Sequence, residues 1–466
     1  ALQDKLRRLE SDFAEKFPGN IDFNEISWEL VKRAIPDDSV VLEYYLALDD
    51  FGQTQFETHP SDEDLEVFEL YFTRKQNGRV FLKRFIIKDA EEIREKAERF
   101  IAIYQEKSVN AGTSANEDSL EDLRYDLYEA LINPVINDIG EDTTIYFAPD
   151  SSLVNLPFEL LYEDERLEES HQIVKIECAR DFLFSSSDVP YSKSCLVIGN
   201  PEYSIRENEI TINDERTPEQ TRATDINLMD LEQLPFAEVE AYRVADYFAT
   251  IPWTGKAATK EKLLTAQGYQ NLHIATHGFF DLSGETDVIY SSCLMFAGVK
   301  NWMKNLREAN EYGNGIVTAD EISRLNLKAT KLVVLSSCLN GRNDMIISKG
   351  FQGMVGAFAA AGVKYVIAHL WNAPESIGTV ILMDTFYYCY TEEKMTPPLA
   401  LAKAKEYLRT LTINKMREQG WFEYVINSNL DFASKKSVAI LEKCNGKLRP
   451  YKDEIFWGGF SCYRCN

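Results

Sequence analysis

Apolar residues fall along this chain in two alternating rhythms, and the alternation predicts a layered α/β protein. Between residues 36 and 90 the apolar runs are short, β-branched and aromatic. Val40-Val41-Leu42-Glu43-Tyr44-Tyr45-Leu46 reads as one strand. Phe68–Thr73 and Val80–Phe85 read as a hairpin about Asn77-Gly78, a dipeptide that tolerates the left-handed backbone of a tight turn. After Asp89 the spacing changes: Ile93, Ala97, Phe100 and Tyr104 share one face of a helix ending near residue 107. A second helix covers about 118–137, and Thr144–Ala148 forms a strand closed by Pro149-Asp150. Strands alternating with helices make this region an α/β layer.

A second unit opens near Lys193 with the buried strand Ser194–Asn200. Residues 201–233 are polar and charged and predict a mobile loop. A helix follows over 235–249, its face carrying Ala237, Ala241, Val244, Ala245 and Phe248. Then come a strand leading into His277, a hairpin-like stretch at Cys293–Phe296 and a strand leading into Cys338. A glycine-studded helix over 348–361, a central strand Lys364–Trp371 and helices over 375–391 and 398–412 complete the unit. Gly350, Gly353, Gly356 and Gly362 precede no Gly-Lys-Ser/Thr, so close packing of helix on sheet explains them better than a phosphate loop. At the other end, Leu2, Leu6, Leu9 and Phe13 predict an amphipathic helix stopped by Pro18-Gly19. With no initiator Met, it reads as the end of a helical array whose earlier part is missing. Three parts are expected: a helical lead over 1–35, an α/β domain over 36–192 and a second α/β domain over 193–466.

Charge and cysteine content narrow the function. Fifty Lys and Arg against 75 Asp and Glu give a net charge of −25, which argues against nucleic acid as a direct partner. No apolar run reaches the ~18 residues of a membrane-spanning helix, and the polar amino terminus is no signal peptide. The eight cysteines are scattered and read as reduced thiols of a cytoplasmic protein. Cys462-x-x-Cys465 lacks two further ligands nearby, so neither metal nor cofactor is expected.

The chemistry concentrates in Leu272-His273-Ile274-Ala275-Thr276-His277-Gly278 and Leu332-Val333-Val334-Leu335-Ser336-Ser337-Cys338-Leu339-Asn340-Gly341. Each is an apolar run that ends at a reactive residue beside a small one. Two parallel strands of this kind deliver both side chains to the carboxyl edge of a sheet, where ligands of α/β proteins collect. A thiol becomes a good nucleophile when a neighbouring base takes its proton, so His277 and Cys338 form a minimal catalytic pair. The N–H groups of Gly278 and Cys338 suit an oxyanion. His273 lacks the Glu at 274 that a helical zinc pair needs, and reads as a structural histidine.

In this order the segments resemble the CHAT peptidases, relatives of caspases and separase among the clan CD cysteine proteases. The likeness extends beyond the pair. It includes Phe147-Ala148-Pro149-Asp150 with Val154–Leu161, Leu234-Pro235-Phe236-Ala237-Glu238, Ala275–Gly278, and Ser336-Ser337-Cys338. It continues through Gly353–Gly362 with Val366–Trp371 and closes at Trp457-Gly458-Gly459-Phe460. The resemblance implies a caspase-like α/β/α sandwich with a mostly parallel sheet, preceded by a pseudo-caspase layer over 36–192 that lacks its own pair. It implies a cysteine endopeptidase that cleaves a partner protein, often in bacterial defence or signalling, under an upstream tetratricopeptide-repeat (TPR) or sensor partner. The rival expectations are a catalytically latent caspase-like scaffold for protein interaction and a different acyl-transfer enzyme using the same pair, such as a small-molecule amidase. Candidate walls of the substrate pocket are Asp287, Cys293, Asp320, His369 and Trp371. Two departures stand out: Leu339-Asn340 replaces the Glu-Thr that often follows the nucleophile, and 411–450 reads as a polar insertion.

Overall fold

The computed structural model describes residues 27–48, 66–109, 117–141, 143–163, 166–183, 192–204, 231–280, 292–303, 313–336, 338–339, 347–371 and 374–465. The helix expected over 1–17 and most of the 201–233 loop lie outside them, as do Asp287 and the Asn340-Gly341 turn.

Helix α1 (Trp28–Ala34) leads into β1 (Ser39–Leu48), β2 (Glu66–Gln76) and β3 (Arg79–Ile87). The expected hairpin is present: β2 and β3 pair antiparallel from Phe68↔Ile87 to Gln76↔Arg79. Its turn takes positive φ at Asn77 (51°) and Gly78 (72°), the two positions where this pair of residues loses least. Helices α2 (Ala90–Val109) and α3 (Glu117–Leu131) bury Phe100, Tyr104 and Leu127 against Phe68, Leu70 and Phe72 of β2. Strands β4 (Thr144–Ala148) and β5 (Gln172–Lys175) then extend the sheet in parallel from β1.

The second unit supplies β6 (Cys195–Pro201), α4 (Pro235–Phe248), β7 (Trp253–Gly255), β8 (Asn271–Ala275) and β9 (His277–Phe280). It continues with β10 (Ser292–Met295), β11 (Ile316–Thr318), α5 (Ala319–Ser323), β12 (Leu332–Leu335) and β13 (Cys338–Leu339). The last elements are α6 (Ile347–Ala360), β14 (Tyr365–His369), α7 (Ile377–Thr391), α8 (Pro397–Thr410) and β15 (Phe460–Arg464).

These strands form one eleven-stranded sheet, β3-β2-β1-β4-β5-β15-β14-β12-β8-β6-β7, and a four-stranded sheet, β11-β10-β9-β13. The mixed α/β fold with a large, mostly parallel central sheet agrees with the expected class. Its two halves meet at β15, which runs antiparallel to β14 and parallel to β5. The parallel strands of the first half therefore run against those of the second, and their carboxyl edges lie at opposite ends of the sheet. Every residue of β8 and β12 is buried, as expected of central strands covered on both faces.

Three details fill out this picture. The polar stretch 411–450 is helical, forming Ile413–Glu418, Trp421–Ile426 and Phe432–Glu442. Cys462 and Cys465 are no ligand pair: Cys462 sits buried in β15 opposite Ile367, and the Cys465 N–H donates to the Lys364 carbonyl. The glycines in and after α6 do not share one cause. A side chain at Gly362 (φ 99°) would meet Lys328 at 2.8 Å, whereas nothing lies within 4 Å of a Cβ at Gly356.

Candidate functional site

Strand β8 stops at Ala275, one residue earlier than a strand delivering His277 directly would. The chain then starts a new strand, β9, in the small sheet, and β13 joins it in parallel. In that ladder Cys338 is the register partner of His277, and Leu339 that of Gly278. Residues in register on adjacent strands lie about 4.8 Å apart. Two positions about 60 residues apart in sequence thus become neighbours, held by β8 and β12, which pair directly beneath them (Leu335↔Ile274). The Ser336 N–H donates to the Ile274 carbonyl at 3.0 Å and fixes the approach to Cys338.

His277 is buried, 4% exposed. Its Nε2 lies 2.8 Å from the Glu232 carbonyl oxygen. A carbonyl can only accept, so Nε2 carries the proton and Nδ1 of the neutral ring keeps its lone pair. Burial pushes the imidazole below its usual value; the Glu232 carbonyl works against that, and Lys300 adds to it.

The strand break at Thr276 is pinned by a directed chain of hydroxyls. Thr276 Oγ1 donates to the Met295 carbonyl, which leaves it as acceptor for the Tyr203 hydroxyl at 3.0 Å. The Tyr203 oxygen in turn accepts from the His277 N–H at 3.2 Å, and the two rings sit 5.0 Å apart. Tyr203 is fully buried, so its hydroxyl must be satisfied within the protein.

Glu232 is itself held. Asn200, at the end of β6 with φ 43°, accepts from the Leu234 N–H at 2.8 Å and donates to Glu238 Oε2 at 2.9 Å. Glu375 Oε1 accepts from the Phe236 N–H at 2.7 Å, at the amino end of α4. Gly199 lets α4 approach: a Cβ there would lie 2.7 Å from the Ala237 carbonyl oxygen. A cleft of about 600 Å³, lined by Asn200, Glu202, Leu231, Glu232, Glu238 and Lys300, opens beside this segment.

The other expected site residues scatter. Cys293 is close by, on β10 opposite Phe279, but its side chain is buried with Tyr203, Met295 and Val299, and burial pushes its thiol up to about 12. Asp320 lies in the first turn of α5, 2.7 Å from Arg324. His369 and Trp371 lie in the interior. Both are fully buried at the junction of the two halves, where Trp371 stacks on Tyr104 (centroids 4.6 Å) and donates from Nε1 to the Ile455 carbonyl. His369 packs edge-on against Phe460. His273 is structural as expected: buried, with Nδ1 3.1 Å from the Tyr387 hydroxyl and Nε2 3.0 Å from Glu240. Among the described residues no group of three His, Cys, Asp or Glu could hold a metal ion, and no helix is long and apolar enough to cross a membrane.

Sequence reasoning missed Tyr203, Asn200 and Glu232. Asn200 left a weak signal, a strand-end Asn of the kind that tolerates left-handed backbone. Glu232 left none, because its contribution is a backbone oxygen.

The profile of the CHAT domain matches residues 121–464. Tetratricopeptide repeat protein 28 of Homo sapiens is 28% identical over 173 residues, covering 33% of this chain and 7% of that protein. Its Mus musculus counterpart is 25% identical over 292 residues, covering 56% of this chain and 11% of that protein. The chain thus spans about a tenth or less of the length of these curated relatives.

Proposed function

We propose, from the premise that the chain belongs to the CHAT-domain family of caspase-like, peptidase-related domains, that it is a cysteine endopeptidase acting on a partner protein. The observation that carries the reading is the parallel register of Cys338 with His277. His277 Nδ1 takes the thiol proton, and the thiolate attacks the scissile carbonyl. The oxyanion is held by the N–H groups of Gly278 and Cys338. The imidazolium returns its proton to the leaving amine, and water hydrolyses the thioester. The Glu232 carbonyl keeps Nε2 protonated throughout, which leaves Nδ1 as the working base. Residues 193–466 are the catalytic unit in this reading, and 36–192 a caspase-like layer without a pair of its own. The name of the mammalian relatives supports regulation by an upstream repeat segment.

A second reading, a catalytically latent scaffold, is favoured by the burial of His277. One experiment separates them. The chain is incubated with a peptide library derived from a whole proteome, and the new amino termini are sequenced. Defined cleavages that vanish in Cys338→Ala and His277→Ala support the peptidase. No cleavage, with all eight cysteines alkylated at similar slow rates, supports the scaffold.

A further inference from the structure

The carboxyl edge of the first half of the sheet carries a second cavity, far from the paired His277 and Cys338. It measures about 650 Å³ and opens where β4 and β5 end, at Pro149, Ile176 and Glu177. Open α/β sheets bind ligands at this edge. Its far wall is α6, which presents Gly353, Gly356, Ala357, Ala359 and Ala360. Small residues on a helix usually admit a close neighbour, yet a Cβ at Gly356 would meet nothing within 4 Å. The helix face leaves room that the fold does not fill.

Two cations stand at this space. Lys175, the last residue of β5, is 1% exposed. Among the described residues its ammonium has one hydrogen-bond acceptor, the Val154 carbonyl at 3.3 Å, and no ion-pair partner. Arg464 lies over the Phe182 ring at 4.7 Å and hydrogen-bonds the Tyr146 side chain, while its buried Nε has no acceptor among the described residues. The acids nearby do not neutralise them. Asp181 Oδ2 is taken by the N–H groups of Glu177 and Cys178, at 2.8 and 3.2 Å. Glu177 is exposed at the rim. Glu159 acts on Lys175 through space, without a hydrogen bond to it, and accepts from Ser461, while the charge of Lys405 opposes that effect. Apolar walls with two cations that form no salt bridge among the described residues at one end are the complement of an amphiphile bearing a single anionic head.

We propose that this cavity binds a small amphipathic carboxylate, its chain along Val154, Ile176 and the small-residue face of α6, its head at Lys175 and Arg464. The site does not depend on the peptidase reading.

The test is calorimetric titration of the full chain with decanoate below its micellar concentration, with 1-decanol and decyltrimethylammonium as controls. The expected result is one saturable decanoate site per chain and at least tenfold weaker binding of both controls. Lys175→Met should weaken decanoate at least tenfold while leaving decanol unchanged. Gly356→Leu fills the space from the opposite wall without touching a cation, and should abolish binding of both. Decanoate binding that survives Gly356→Leu, decanol binding as tightly as decanoate, or no saturable site would each overturn the proposal.

Discussion

Replacing Lys175 by Met should make the protein more stable at neutral pH. The ammonium is almost wholly excluded from solvent, and desolvation pushes its pKa down from 10.5 to about 8, with Glu159 offsetting part of the effect. At about 1.4 kcal/mol per tenfold change in the proton equilibrium, that difference corresponds to roughly 3 kcal/mol held against the folded state while the group is charged. Methionine has a similar length and no charge. It forfeits the bond to the Val154 carbonyl, a loss of about 1 kcal/mol, so the expected net gain is about 2 kcal/mol at pH 7. The sign with pH follows from the lowered value. Below about pH 8 both folded and unfolded chains carry the proton, and the full penalty applies. As pH rises from about 8 to 10.5 the folded state sheds its proton first, so the wild type gains on the variant and the gap closes. Urea unfolding of both proteins at pH 7, 8.5 and 10 measures this. The reasoning fails if the variant is less stable by 1 kcal/mol or more at pH 7, or if the gap is the same at all three values.

Four further outcomes are expected. Alkylation of Cys338 by iodoacetamide should outpace that of Cys195, Cys293 and Cys462, whose thiols burial raises, and should fall at least tenfold in His277→Ala, read by peptide mass spectrometry. Because burial lowers the His277 pKa, the neutral ring should persist below pH 6.5, so the acid limb of that alkylation profile should lie below 6.5; a midpoint above 6.5 would refute it. Tyr203→Phe removes the link between the His277 N–H and Thr276 and should lower unfolding free energy by about 1–3 kcal/mol while slowing Cys338 alkylation, with Thr276→Val giving a similar loss. Gly199→Ala drives a methyl into the Ala237 carbonyl of α4 and should lower stability by about 1–3 kcal/mol in thermal unfolding, whereas Gly356→Ala, within helix α6 where nothing lies within 4 Å, should lose none.

The elements that the sequence foretold are those whose cause is local or periodic. Asn77-Gly78 dictated its own turn, and Ala237, Ala241, Val244 and Phe248 marked the buried face of α4 by spacing alone. The strands ending before His277 and Cys338 were legible because short, β-branched apolar runs fit a central strand better than a helix. What followed them was not. Strand β13 is two residues long, too short to carry a pattern, and exists only because β9 lies beside it. The surroundings of Trp371 and His369 were not legible for a related reason. They end a central strand as a site residue would, but their surroundings are fixed by Tyr104 and Ile455, distant in sequence on either side. The tautomer of His277 rests on a peptide oxygen, for which no residue type is a signature.

The position of β15 bears on how the molecule is built. It follows every other strand of the large sheet in chain order, yet it sits at the centre, between β5 and β14. During synthesis both of those strands must therefore wait with a bare edge until residues 460–464 emerge and zip the two halves together. Chaperone engagement and proteolytic nicking should concentrate in that interval, and a ribosome stalled before Phe460 should present two unjoined half-sheets to the cell.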